Sequence, residues 1–230
     1  MLFQMMYDMN PGILVVIAAF ILGMIAKAKV NSTFNKYSAI RNGLGLTGAS
    51  MARNILDNYG LANIGIEQVQ GRLTDHYDPR SQVLRLSSGV FASDSVAAIG
   101  IAAHEAGHAV QHAMGYSPLK FRTALVPVAN LGSKMLFPLL IGGFFFRMTN
   151  LIYIGIALYA AALLFQLITL PVEFNASARA VSFLEKERGF PPSDIIGVKK
   201  VLSAAALTYV ASALAAIGQM LWLLLAGRRR

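Results

Sequence analysis

Apolar residues fall along this chain in four long runs, at 13–26, 123–146, 151–170 and 201–227, with a shorter run at 95–114. A helix needs about 20 predominantly apolar residues to cross a bilayer, so the four long runs predict about four transmembrane helices. The first run is near the lower length limit. No Lys or Arg precedes it, whereas Lys27, Lys29 and Lys36 follow it. That order argues for a retained anchor with its N-terminus outside rather than a cleaved signal peptide. The third run is clean. The second is interrupted by Pro127, Lys134 and Pro138, and a lysine at mid-depth costs roughly 2.5–3.5 kcal/mol on insertion scales.

Between the first two long runs the pattern shortens. Met51, Ala52, Ile55, Leu56 and Tyr59 share one helical face, with Thr47 placed to cap the helix and Gly60 to stop it. Strand-like runs follow at 64–69, 72–77 and 82–86, and Asp78-Pro79-Arg80-Ser81 is a turn signal that joins the last two as a hairpin. Ser93 or Asp94 is expected to cap the helix of the 95–114 run, and Gly115, Ser117 and Pro118 to end it. Pro171 is expected to open a polar segment, 171–200.

The fold class is therefore mainly α: a multi-pass membrane protein with a small water-exposed α+β unit that carries a short β-hairpin. Five segments result. They are an anchor at 1–26, a first part of the α+β unit at 27–122, a two-span membrane hairpin at 123–170, a second part of that unit at 171–202, and a last membrane helix with a basic tail at 203–230.

Composition agrees. Hydrophobic residues make up 56 % of the 230 and mean hydropathy is +0.56, too apolar for an ordinary soluble domain. The net charge of +9 sets topology against anionic lipid rather than marking nucleic acid, since no basic patch is interleaved with aromatics. With the N-terminus outside, segments 27–122 and 171–200 face the cytoplasm and hold 15 of the 20 Lys and Arg residues. The Arg228-Arg229-Arg230 tail runs against that rule locally. Cysteine is absent, which excludes disulfides, thiolate metal sites and a thiol nucleophile. Any metal must be held by His and carboxylates.

The 95–114 run contains His104-Glu105-Ala106-Gly107-His108. Residues i and i+4 lie on one face of a helix, one turn apart, so both imidazoles can reach one zinc ion. Glu105 can lean over an open coordination position and take a proton from a water there, the HExxH arrangement. An apolar helix has no packing reason to hold two imidazoles and a carboxylate. Two histidines leave a catalytic zinc one protein ligand short. His112, at i+8 from His104, is about 12 Å along the axis and too far away. Glu173 is the first acidic residue after this helix and follows two spans. An even number of crossings returns it to the same membrane face, so it is the candidate third ligand. A helix cap after Pro171 is its other reading.

HEAGH, the two intervening spans and the Glu173-Phe174-Asn175-Ala176-Ser177 segment resemble the YugP-type membrane zinc metallopeptidases. Those in turn are similar to the HtpX and CAAX-prenyl-protease group of gluzincins. The likeness extends through residues 73–79, 83–86 and the Ala-Ala-His-Glu-Ala-Gly-His-Ala-Val-Gln block. It implies that segments 27–122 and 171–202 form a zincin-like catalytic unit, that of a zinc-dependent endopeptidase with one Zn2+ per chain, in a bacterial plasma membrane with its site on the cytoplasmic side. Its substrate would be an unfolded or membrane-associated protein or peptide. The wider gluzincin pattern often places an Asp four residues after the ligand Glu, where this chain has Ser177, with Asn175 between; either would orient a zinc histidine more weakly than a carboxylate. His76, Tyr77 and Arg179 are candidates for stabilising the transition state. The 82–86 strand is a candidate to receive an extended peptide edge-on.

Two other readings are set against this one. A site-2-type intramembrane protease needs an Asp from a later apolar helix, and only Asp194 follows His108, in Pro191-Pro192-Ser193-Asp194, which reads as a loop. A non-catalytic zinc-binding membrane scaffold has no need of Glu105.

Overall fold

The computed structural model describes residues 11–228; the sequence argument from residues 1–10, and Arg229 and Arg230 of the tail, lie outside them. The described chain is mainly helical. Its helices are α1 (Pro11–Ser38), α2 (Gly48–Asn58), α3 (Ser88–Phe91), α4 (Val96–Ala113), α5 (Ser117–Phe145), α6 (Thr149–Lys186) and α7 (Pro192–Arg228). Strands β1 (Gly65–Val69), β2 (His76–Asp78) and β3 (Val83–Ser87) form one small sheet. Among the described residues four helices, α1, α5, α6 and α7, are long and apolar enough to cross a membrane. The protein is a mainly α membrane protein with a small sheet.

The chain divides into two compact units, each assembled from separated segments. One holds Met1–Ala26, Lys120–Pro171 and Leu207–Arg230; the other holds Lys27–Leu119 and Val172–Ala206. In the first, Ala129, Leu136, Tyr159, Ala162 and Leu223 form a buried cluster. Backbones approach closely there: a Cβ on Gly132 of α5 would lie 2.1 Å from the Leu158 carbonyl oxygen of α6.

The second unit is built around α4, buried along most of its length. Met51, Ala52, Ile55 and Leu56 of α2 pack into the same core, as do Leu84 and Leu86 of β3. Thr47 caps α2 as expected, its side chain accepting from the Ser50 N–H. The cap of α4 differs: the Ser95 hydroxyl accepts from the Ala98 N–H at 3.1 Å. Ser93 instead braces Ser95, and Asp94 pairs with the exposed Arg41. Ser95, just ahead of the first helical residue, has the extended backbone that a cap requires.

The expected hairpin is present, with β2 antiparallel to β3, although residues 72–75 lie outside β2. Asp78 closes the turn, accepting from the Arg80 N–H and the Ser81 hydroxyl. Those bonds, with Arg85, hold its carboxyl below the usual carboxylate range. The sheet order is β1-β3-β2, with β1 parallel to β3. This corrects the expectation that residues 82–86 offer a free edge. Both sides of β3 already spend their ladder hydrogen bonds on β1 and β2, so it cannot add a peptide strand.

Two helix boundaries also differ from the sequence reading. Pro171 lies inside α6 rather than at the start of a new segment. A mid-helix proline removes one hydrogen bond at a cost of ~3 kcal/mol. Beyond it Val172, Ala176, Ala180 and Leu184, spaced four apart, are all buried, and burial of that stripe sustains the helix. Glu173 is accordingly mid-helix and caps nothing. Helix α7 begins at Pro192, so Asp194 sits in its first turn rather than in a loop. Its carboxylate, buried, accepts from the Gly43 N–H at 2.7 Å.

The reassigned cap gives a direct test. Ser95→Ala is expected to lower the unfolding free energy by ~1 kcal/mol in chemical denaturation of the detergent-solubilised protein. Asp94→Ala should cost less, because an exposed ion pair contributes ~0–1 kcal/mol.

Candidate metal centre

His104 and His108 stand one turn apart on α4, as their spacing requires. Glu173 comes from α6, 69 residues beyond His104. Its Oε2 lies 3.2 Å from His104 Nε2 and 3.4 Å from His108 Nε2. The three side chains form a group that could hold a metal ion, with ligand atoms all within 4.8 Å of one another. Ligands at about 2.0–2.1 Å from a tetrahedral zinc are separated from each other by roughly 3.3 Å, and the two His–Glu distances match that edge length. Donor type and spacing fit zinc.

Two polar contacts fix which ring nitrogen of each imidazole faces the carboxylate. Gln111, three residues past His108 and fully buried, places Oε1 at 2.9 Å from His108 Nδ1. An amide oxygen only accepts, so Nδ1 carries the proton and Nε2 is left with its lone pair for a metal. The amide cannot be reversed, because Gln111 Nε2 donates to the Val172 carbonyl at 2.8 Å and to Asn175 Oδ1 at 2.9 Å. His104 Nδ1 lies 3.1 Å from Ser177 Oγ. Ser177, one turn after Glu173, thus occupies the orienting position where the wider pattern has an Asp.

The close approach of α4 and α6 has a visible cause. A Cβ on Gly107 would meet the Ala176 carbonyl oxygen at 2.9 Å. Glycine inside HEAGH lets the α6 backbone come near enough for Glu173 to reach the histidines.

Glu105 faces the sheet. Its Oε2 accepts the Tyr77 backbone N–H at 3.1 Å, so β2 holds the carboxylate in place. Asp75, nearby, accepts from the Ser87 N–H at 2.7 Å and from its hydroxyl. Burial pushes the Asp75 carboxyl up against the opposing effect of those bonds, and the Glu105 charge adds to the rise.

The weaker candidates divide. Asn175 and Ser177 join the network around the histidines. Tyr77 contributes its backbone to Glu105, while its hydroxyl lies 2.9 Å from His112 Nδ1. Arg179 is turned to Asn175 Oδ1 and Met114 Sδ. His76 is exposed, its Nδ1 bonding the Thr74 carbonyl. Asp194 is not part of the metal-binding group. Gln111 was not singled out from the sequence, though an amide at i+3 from a histidine, in a helix otherwise apolar there, is a legible signal.

The chain matches the family model described as "Putative neutral zinc metallopeptidase" over residues 12–228 and belongs to that family. It is 48 % identical over 209 residues to the Bacillus subtilis (strain 168) protein named "Putative membrane protease YugP", covering 91 % of this chain and 93 % of that one. No solved structure matches the chain.

Two outcomes follow from this geometry. Gln111→Leu leaves the His108 Nδ1–H and the Val172 carbonyl without their partner, and zinc affinity is expected to fall roughly 10–100-fold in chelator competition. The second concerns pH. Burial lowers the proton affinity of His108, but the Glu173 hydrogen bond and the charges of Glu105 and Glu173 outweigh it, and the net pKa lies above the ordinary 6.5. A raised pKa means the proton competes with a metal from higher pH downward. Apparent zinc affinity should therefore begin to fall above pH 6.5 as the solution is acidified, read in the same competition at stepped pH.

Proposed function

We propose that this chain is a membrane-embedded zinc-dependent endopeptidase of gluzincin type, with His104, His108 and Glu173 holding one Zn2+ and Glu105 as general base. The observation that carries the reading is the meeting of one carboxylate with two pre-oriented Nε2 atoms, beside a second carboxylate that stays free of that group. When bound, zinc would supply the acidity of a water and polarise the scissile carbonyl. Glu105, anchored by the Tyr77 N–H, takes a proton from the attacking water and passes it to the leaving nitrogen. Gln111 keeps His108 in the tautomer that presents Nε2, and Ser177 holds the orientation of the His104 ring. The peptide bond is cleaved by addition of one water.

The unit of Lys27–Leu119 and Val172–Ala206 would be the catalytic part, and the other the membrane part. The Lys and Arg excess in segments 27–122 and 171–200 supports a site on the cytoplasmic side of a bacterial plasma membrane. Substrates would be unfolded or membrane-associated proteins or peptides. The site-2 reading is disfavoured by the commitment of Asp194 to Gly43, and a non-catalytic scaffold by the held position of Glu105.

Metal analysis alongside cleavage of an unfolded reporter tests the assignment. Wild type should carry one zinc per chain. Glu105→Gln should keep zinc and lose about 10²–10⁴-fold in cleavage, while Glu173→Ala should lose both. Full zinc and activity in Glu173→Ala would overturn the third ligand, and full activity in Glu105→Gln would overturn the base.

A further inference from the structure

Helix α5 carries polar groups at its middle that the described chain leaves unsatisfied. Lys134 stands midway between Arg122 and Arg147 in sequence, about 18 Å of helix from either. Its side chain is exposed, and it makes no hydrogen bond or ion pair among the described residues. Lysines near the ends of a span bend back to the headgroups, but half of a ~30 Å hydrocarbon core is beyond a four-carbon stem. Lipid phosphate is therefore out of reach.

Lys134 is not alone. Asn130, also exposed, lies one turn earlier on the same face, likewise without a hydrogen bond among the described residues. Pro138, one turn later, has no N–H to offer the Lys134 carbonyl. Three polar groups thus gather at one level of an apolar helix. The face that bears them points away from its own unit. Ala129 and Leu136 are buried and Gly132 packs on α6, whereas Leu131, Phe137 and Ile141 beside Lys134 are 52 %, 57 % and 67 % exposed. In hydrocarbon such groups persist where protein covers them.

We infer that this face of α5 docks a transmembrane helix of another protein that carries an aspartate or glutamate at mid-depth. One carboxylate oxygen would pair with Lys134 Nζ and the other accept from Asn130 Nδ2. A second copy of the chain cannot supply that group: segments 1–26, 120–171 and 207–230 contain only Asp8, which precedes the first apolar run. The complementary charge must come from the span of a different membrane protein.

The absence of cysteine makes the test simple. The zinc-loaded full chain, carrying Ser32→Cys for a donor dye, is co-reconstituted in phosphatidylcholine vesicles with acceptor-labelled polyleucine spans bearing a central Asp, Lys or Leu. Energy transfer should show the Asp span associating about tenfold or more tightly than the Leu span. Lys134→Met should bring it to the Leu level, and Asn130→Ala should weaken it part-way. Lys134→Glu should switch preference to the Lys span, which also shows that the altered helix still inserts. Equal association of Asp and Leu spans, or an unchanged Asp preference in Lys134→Met, would overturn the proposal. The readout is association without cleavage, so it stands or falls separately from the peptidase assignment.

Discussion

The contact on which the site depends is between two helix backbones. Gly107 of α4 faces the Ala176 carbonyl of α6 with no room for a methyl group between them. A larger residue would push the helices apart by some tenths of an ångström. The same displacement would open the His–Glu distances of 3.2 and 3.4 Å, which a shared ion would require within narrow limits. Steric closeness at one residue and coordination geometry at its neighbours are thus a single constraint.

Around that contact the polar groups are closed into a network. Gln111 joins His108, the Val172 carbonyl and Asn175, and Asn175 passes the connection to Arg179. In a low-dielectric interior a satisfied network of this kind is rigid and a half-satisfied one is costly. Among the described residues only the Ser38 hydroxyl is buried without a hydrogen-bond partner. The arrangement holds imidazole orientation by a neutral amide and a hydroxyl instead of carboxylates. That leaves less negative charge behind the rings.

The sheet is small because its task is local. Three strands suffice to pin the Tyr77 N–H against Glu105 and to place Leu84 and Leu86 in the core beside α4. With β3 in the centre, the hairpin is held from both sides, and the position of β2 relative to α4 is fixed by packing rather than by the turn alone. The other unit follows a different physics. Its helices meet through small residues such as Gly132, since apolar surface gains nothing by leaving lipid for protein.

What could be read from residues alone was whatever depends on local spacing. Four apolar runs gave the helices that can cross a membrane, Thr47 gave its cap, the Asp78 turn gave the hairpin, and i,i+4 spacing put both histidines on one face. Glu173 was reachable only by counting membrane crossings; its distance from the imidazoles is decided by Gly107 and the buried stripe of α6, which no window of sequence contains. The same holds where expectation failed. Pro171 and Pro192 read locally as punctuation, yet burial of Val172, Ala176 and Ala180 carried the helix through the first, and the Asp194–Gly43 bond joined residues 151 apart at the second. Strand order was likewise invisible, because pairing β1 beside β3 costs and returns its free energy only in three dimensions. Periodicity is a property of neighbours in the chain, whereas helix approach, tautomer and sheet order belong to neighbours in space.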